Sequence, residues 1–171
     1  MQAILDANAI AQVGLRRYLH VLQGRSRELY PVWDKVLDIL YKAEQKLFAQ
    51  EGRTEEHDKW EKLSPRYAAW KKRHYPGKGI LTLTRGLRES MTYPFDIHHV
   101  EKRPRRLTWG SHHLVSGGHD LGGIHAEGRD NMLPREPIRI TQHNVDNIAD
   151  TVVDYMLDID LSQPRQAWEI E

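Results

Sequence analysis

Between Leu29 and Phe48 the apolar residues Leu29, Val32, Val36, Ile39, Leu40, Ala43, Leu47 and Phe48 recur at steps of three and four. That spacing is the period of one face of an α-helix, and no strand keeps such a set on one side. Pro31 fits the first turn, where its missing N–H has no helical partner to lose. Glu51-Gly52 closes the run. A helix of this length with one apolar face must bury that face in a core or against another helix. The chain has 171 residues, which suits one domain and is tight for two. Its mean hydropathy of −0.69, with 39% hydrophobic residues, keeps the core modest and leaves much surface polar.

Other elements follow from weaker signals. Met1 to Asp6 reads as a short strand or a frayed start. Asn8 to Leu22 carries a second helical stripe (Ile10, Val13, Leu15, Tyr18, Leu19, Leu22) that Gly24 and Ser26 are expected to end. Ser64-Pro65 predicts an N-cap and first turn for a short helix to about His74, and Tyr75 to Gly79 a loop. A short helix is expected from Thr84 to Met91. Phe95 to Val100 and Arg105 to Trp109 predict two strands joined at Lys102-Arg103-Pro104. Gly110 to Asn131 has no clean period. Pro134 to Ile140 predicts one more strand, confined to an edge by its prolines. Thr141 caps a last helix whose apolar face is Val145, Ile148, Ala149, Val152, Met156 and Ile159. The expected fold is α+β: a helical N-terminal half packed on a small, mainly antiparallel sheet and closed by a C-terminal helix. It forms a single domain over residues 1–159, followed by an acidic tail over 160–171.

No apolar run nears the roughly 18 residues of a membrane span, and the first residues lack the pattern of a secretory signal. With no cysteine there is no disulfide, thiolate metal site or cysteine nucleophile, which points to a reducing compartment such as the cytoplasm.

The net charge of +1 hides a split. From Arg66 to Arg106 eleven basic residues face three acidic ones, a local +8; among them are Lys71, Lys72, Arg73, Lys102, Arg103, Arg105 and Arg106. From Asp146 onward seven acidic residues face only Arg165, a local −6. A basic middle and an acidic end suit either nucleic acid or one copy docking on the next. Trp70 and Tyr75 beside the lysines add surfaces on which bases could stack.

The histidines His98, His99, His112, His113, His119 and His125, with Asp120 and Glu127, are of the type that ligates transition metals. No pair has the H-E-x-x-H spacing, and His125-Ala-Glu127 lacks the cysteines of a zinc deaminase site. No serine sits in a nucleophile elbow, and Ser116-Gly117-Gly118 is neither a phosphate loop nor a dinucleotide fingerprint. No catalytic residue, metal or cofactor is assigned.

Several motifs, taken in order, resemble the virion morphogenesis, or tail-completion, family of Mu-like tailed phages. Trp60-Glu-Lys-Leu63-Ser64-Pro65 is similar to a W-x-x-L-S/T segment. Ile80-Leu81-Thr-Leu-Thr84-Arg85-Gly86-Leu87-Arg-Glu-Ser90 is similar to I-L-x-x-(S/T)-G-x-L-x-x-S with Arg85 inserted. Ile124-His125-Ala-Glu-Gly128 resembles I-H-Q-x-G, and Met132-Leu133-Pro134-Arg-Glu-Pro137-Ile138 resembles a P-A-R-P-F segment that leads into a strand. The likeness runs from about Leu29 to Ile159.

The resemblance implies a structural neck protein, not an enzyme. It implies a cyclic ring of six or twelve copies between the head connector, or portal, and the tail tube or tail terminator. Its place would be the virion neck, with assembly in the host cytoplasm. The basic segment would then line a channel for packaged DNA, without reading bases, or receive a neighbouring subunit. Trp60, Leu63, Leu81, Gly86, Leu87, His125, Gly128, Pro134 and Pro137 would be architectural, and Trp168 an anchor in the acidic tail. The alternatives are a small metal-dependent nuclease built on the histidine-rich loop and a non-specific DNA-binding module built on the basic segment.

Overall fold

The structure, a computed structural model, describes residues 7–84, 86–93, 98–111, 113–115, 118–129 and 132–158. The segments expected at Met1 to Asp6 and at 160–171, with Ile159 and Trp168, lie outside these residues. Helix α1 (Ala7–Arg27) leads through Glu28-Leu29 into α2 (Tyr30–Ala49). It does not stop at Gly24 or Ser26. An interior glycine costs only about 1 kcal/mol, and Arg25 lies 5.3 Å above the Tyr155 ring, a contact that local sequence does not contain.

The 20 residues of α2 span about 30 Å and form the axis on which everything else packs. Val32, Trp33, Val36, Leu37 and Leu40 are buried in a first cluster toward its N-terminal end. Leu47 and Phe48 join Trp60, Leu87 and Met91 in a second cluster at its C-terminal end. Trp109 packs against both. Ile39 and Ala43, expected in the core, are only half-buried. The helix ends as expected: Glu51 and Gly52 take positive φ values of 52° and 89°, and the Gly52 amide donates to the Leu47 carbonyl at 2.9 Å.

Helix α3 (Pro65–His74) starts at its proline, although the Ser64 side chain makes no capping bond. Helix α4 (Gly86–Thr92) carries Leu87 and Met91 into the second cluster. Strands β1 (His98–Arg103) and β2 (Arg106–Ser111) pair antiparallel, from His98 opposite Ser111 to Arg103 opposite Arg106. The turn is therefore Pro104-Arg105, so Lys102 and Arg103 are strand residues, not turn residues. Phe95, expected to open the first strand, lies outside the described residues.

A second small hairpin, β3 (Leu114–Val115) and β4 (His119–Asp120), runs directly into α5 (Leu121–Glu127). Sequence periodicity missed α5 because Gly122 and Gly123 are poor helix formers. Its start is held by the Asp120 carboxylate, which accepts from the Gly122 and Gly123 amides at 3.1 and 2.9 Å. Pro134 to Ile140, expected as a strand, is irregular. Its polar groups bond to loops and to α5 instead of a ladder: the Arg135 amide donates to the His125 carbonyl at 2.7 Å.

Helix α6 (Gln142–Leu157) begins with a complete capping box between Thr141 and Asn144. It packs along α2, with Ile148, Val152 and Tyr155 against the first cluster. Its expected single apolar face is in fact two. Val145 and Ala149 face solvent, on a row that continues through Val153 and Leu157. The α+β class holds, with two two-stranded antiparallel sheets and helices on either side of them in the chain. No described helix is long and apolar enough to cross a membrane.

Candidate interaction surfaces

The basic segment is not one surface. Its hairpin portion lies at the N-terminal end of α2: Trp33 Nε1 donates to the Arg103 carbonyl at 2.8 Å, and the Tyr30 hydroxyl to the Lys102 carbonyl at 3.1 Å. There Lys102 pairs with Asp34 at 2.6 Å and Arg103 with Glu101 at 2.6 Å, while Arg105 and Arg106 are exposed. The α3 portion lies near the C-terminal end of α2, since the Ile80 amide, beside Lys71's partner Gly79, reaches the Glu51 carboxylate at 3.5 Å. The length of α2 thus separates the two sets.

Lys71 does not belong to the surface set. It is 4% exposed, and its ammonium donates to the Gly79 carbonyl at 2.6 Å. Burial, opposed by Glu51 and assisted by Arg135, holds its pKa below the usual lysine value. Lys72 and Arg73 remain exposed on α3. Beside them Tyr67, Trp70 and Tyr75 form an exposed aromatic row. Tyr67 stacks on Trp70 at 5.5 Å, Trp70 on His74 at 5.1 Å, and Tyr75 tilts against Trp70 at 5.6 Å.

The residues that carry the family resemblance build the scaffold around this end. Trp60 is buried edge-on against Phe48 at 5.3 Å, and its indole N–H donates to the Glu136 carbonyl at 2.8 Å. Leu87 is buried, and Leu81, at φ 59°, packs on the same cluster. At Gly86 a Cβ would come within 2.7 Å of the His113 ring. Gly128 has φ 69°, and a Cβ there would lie 2.7 Å from the Met132 carbonyl oxygen. Pro134 is exposed, and Pro137 is buried.

One residue of these motifs does more than its position in the sequence indicates. Arg135 is 4% exposed, and its guanidinium donates to the carbonyls of Glu61 at 2.7 Å, Lys62 at 2.9 Å and Leu133 at 3.2 Å. It therefore ties the Trp60–Ser64 loop to the segment before α6.

Between these loops, α3 and α5 lies a cleft of about 710 Å³. Leucines, among them Leu63, Leu81, Leu87 and Leu133, supply most of its apolar lining. Among the described residues, every titratable side chain lining it except Tyr67 is basic (Lys62, Lys71, Arg129, Arg135, His113 and His125), and none is an aspartate or glutamate. His125 Nδ1 is buried without a hydrogen-bond partner. Burial, then the charges of Arg135 and Lys71, hold this imidazole below its ordinary pKa, so the ring is neutral at pH 7. Basic side chains over an apolar floor, with Arg129 held 3.3 Å from the Glu127 carboxylate, fit a partner that is apolar and acidic.

The histidines are dispersed. His98 and His99 are on β1, His119 on β4 and His125 on α5, while His112 lies outside the described residues. Asp120 is engaged as the α5 cap and Glu127 with Arg129 at 3.3 Å. Among the described residues no three histidine, aspartate or glutamate side chains converge on a common point.

Sequence reading passed over Glu44. It sits one turn beyond Leu40 on the buried face of α2, is fully buried, and completes no hydrogen bond with either carboxylate oxygen. Burial pushes its pKa up to about 8, only partly opposed by the Arg139 backbone amide. The signal was present in the stripe itself, since position 44 falls between Leu40 and Leu47 on the apolar side. Comparison with protein-family models, curated proteins and solved structures yields no match.

Proposed function

We propose that this chain is a structural, non-catalytic subunit of a tailed-phage neck: a cyclic assembly of six or twelve copies joining head connector to tail tube or terminator. It would act in the virion neck after assembly in the host cytoplasm, with only non-specific contact to packaged DNA. The observation that carries this reading is the outward row of α6. Val145, Val153 and Leu157 are 46%, 43% and 52% exposed, and the i, i+4 spacing with Ala149 places all four on one face that is exposed among the described residues. A continuous apolar row on a helix already packed on its other side is a contact surface for another subunit. The ordered motifs from Trp60 to Pro137 give the phage context, and the residues in them tie loops together through part-buried backbone carbonyls.

Deletion of the gene from the phage genome that encodes it should leave filled heads and finished tails unjoined. Purified protein added to that lysate should restore joined, infectious particles. Normal virions formed without the protein would end this reading.

The aromatic row of Tyr67, Trp70 and Tyr75 beside Lys72 and Arg73 favours one other reading, a module that binds single-stranded nucleic acid by stacking. That reading requires the monomer to bind an oligonucleotide with strong salt dependence and to lose binding in Trp70→Ala.

A further inference from the structure

The row Val145, Ala149, Val153, Leu157 does not stand alone on α6. One residue on, Asp146, Asp150, Asp154 and Asp158 repeat the same spacing, and all four are exposed. The outer side of the helix is thus an apolar ridge with an acidic flank. The cleft between α3, α5 and the Arg135 loop has the complementary character, an apolar lining with basic side chains and, among the described residues, no carboxylate in that lining.

The two surfaces share no residue, and the Val153–Leu157 end of the ridge lies at the opposite end of α2 from the cleft, whereas α6 starts beside Leu47 and Gln50. The C-terminal end of α6 meets the N-terminal end of α2, where the Tyr155 hydroxyl donates to the Glu28 carbonyl at 3.1 Å. The cleft is floored by Leu81, Leu87 and Leu121, which pack on Leu47 and Phe48 at the other end of α2.

We infer that the outer α6 ridge of one copy seats in the basic, apolar cleft of the next copy, a head-to-tail contact between two different faces of the same chain. The inference rests on the assembly proposed above and names the two faces that would form it. A ridge and a cleft on one subunit are self-complementary only between copies in series, so the contact propagates, and it closes into a ring when the rotation per subunit allows. An antiparallel isologous pairing of ridge with ridge would set the four aspartates of each copy against those of the other. Lys62, and Arg129 on the side it does not turn to Glu127, provide the exposed charges at the cleft for the aspartate flank to meet, while the leucines take up the valine and leucine side chains.

Two variants of the full chain test this. Asp150→Lys with Asp154→Lys spoils the ridge and leaves the cleft intact; Lys62→Glu with Arg129→Glu does the reverse. All four positions are exposed, so each variant should keep the native circular dichroism and melting profile. By sedimentation velocity the native chain should self-associate, and less so as salt rises. Each variant alone should need at least about tenfold more protein to associate. Mixed in equal amounts they should associate near the native concentration, because the native ridge of one fits the native cleft of the other and the introduced lysines of the first face the introduced glutamates of the second.

A native chain that stays monomeric at every concentration would overturn the inference. So would association unchanged in both variants, or variants that fail to pair when mixed. If head–tail joining is restored by both variants as well as by the native protein, this contact is wrong and the neck reading stands. If the mixing pattern appears but deletion of the gene leaves virions intact, the contact stands and the neck reading fails.

Discussion

Gly52 lies directly against the face of the Trp60 indole: a Cβ at residue 52 would fall 2.5 Å from Cγ of that ring. The glycine is also at φ 89°, a conformation that side-chain-bearing residues rarely adopt. The close approach ends α2 and at the same time admits the tryptophan to the second core cluster. Gly52→Ala meets both the backbone strain and the ring, and should cost roughly 2–4 kcal/mol in urea unfolding. In a Trp60→Ala background the same glycine substitution should cost less, because Cγ, Cδ1 and Cδ2 of the ring, the atoms that the new Cβ meets, are gone. An equal cost in both backgrounds would mean that strain at residue 52, not the ring, sets the cost.

Glu44 makes stability depend on pH with an uncommon sign for a carboxylate. Its folded pKa of about 8 lies above the ordinary 4.5, so the folded protein holds a proton that the unfolded chain has released. Stability from this group is complete below about pH 4.5 and falls by about 1.4 kcal/mol per unit until about pH 8, where the slope ends. Glu44→Gln should remove this slope and be more stable than the native protein at pH 9. Equal slopes for the two proteins, measured from urea midpoints at pH 5, 7 and 9, would show that Glu44 is solvated in solution.

Arg135 satisfies three carbonyls that lie in two different loops. Arg135→Ala leaves these part-buried carbonyls without that partner and should cost roughly 1–3 kcal/mol. Arg135→Lys should rescue little of it, since a single ammonium cannot span the planar fork that reaches Glu61, Lys62 and Leu133 together. Faster proteolysis within residues 60–64 would report the released loop directly.

The capping box of α6 has a smaller, separable effect. Thr141 Oγ1 accepts from the Asn144 amide at 3.3 Å, and Asn144 Oδ1 accepts from the Thr141 amide at 3.1 Å. Thr141→Ala should cost about 1 kcal/mol, read as a lower melting temperature. Hydrogen exchange should speed up in the first turn of α6 and not in α2.

Much of the molecule was legible from residue order because it depends on neighbours in sequence. The stripe from Leu29 to Phe48, Pro31, Pro65, Glu51-Gly52 and Thr141 each act within one or two turns, so spacing alone placed α2, α3 and the start of α6. The two-stranded hairpin was likewise found, with its turn displaced by the register that Arg103 opposite Arg106 imposes. Local rules failed where a distant contact decides the outcome. α1 runs through Gly24 where Arg25 meets Tyr155; α5, by contrast, was missed on a local signal, the Asp120 cap two and three residues before its glycines. Pro134 to Ile140 forgoes a strand because its groups bond to Trp60, His125 and the carbonyls of residues 61 and 62.

The candidate surfaces divide in the same way. The sequence by itself determined that a basic middle and an acidic end exist, because charge is a property of composition along the chain. Only the tertiary structure decided which of those charges face outward. It buries Lys71 on the Gly79 carbonyl, pairs Lys102 with Asp34, and puts the length of α2 between the two basic patches. It also divides the apolar residues of α6 between an inner face and an outer row. The physical reason is that burial and charge pairing depend on which segments meet in space, and residues 71 and 79, 102 and 34, or 25 and 155 meet only after the chain has folded.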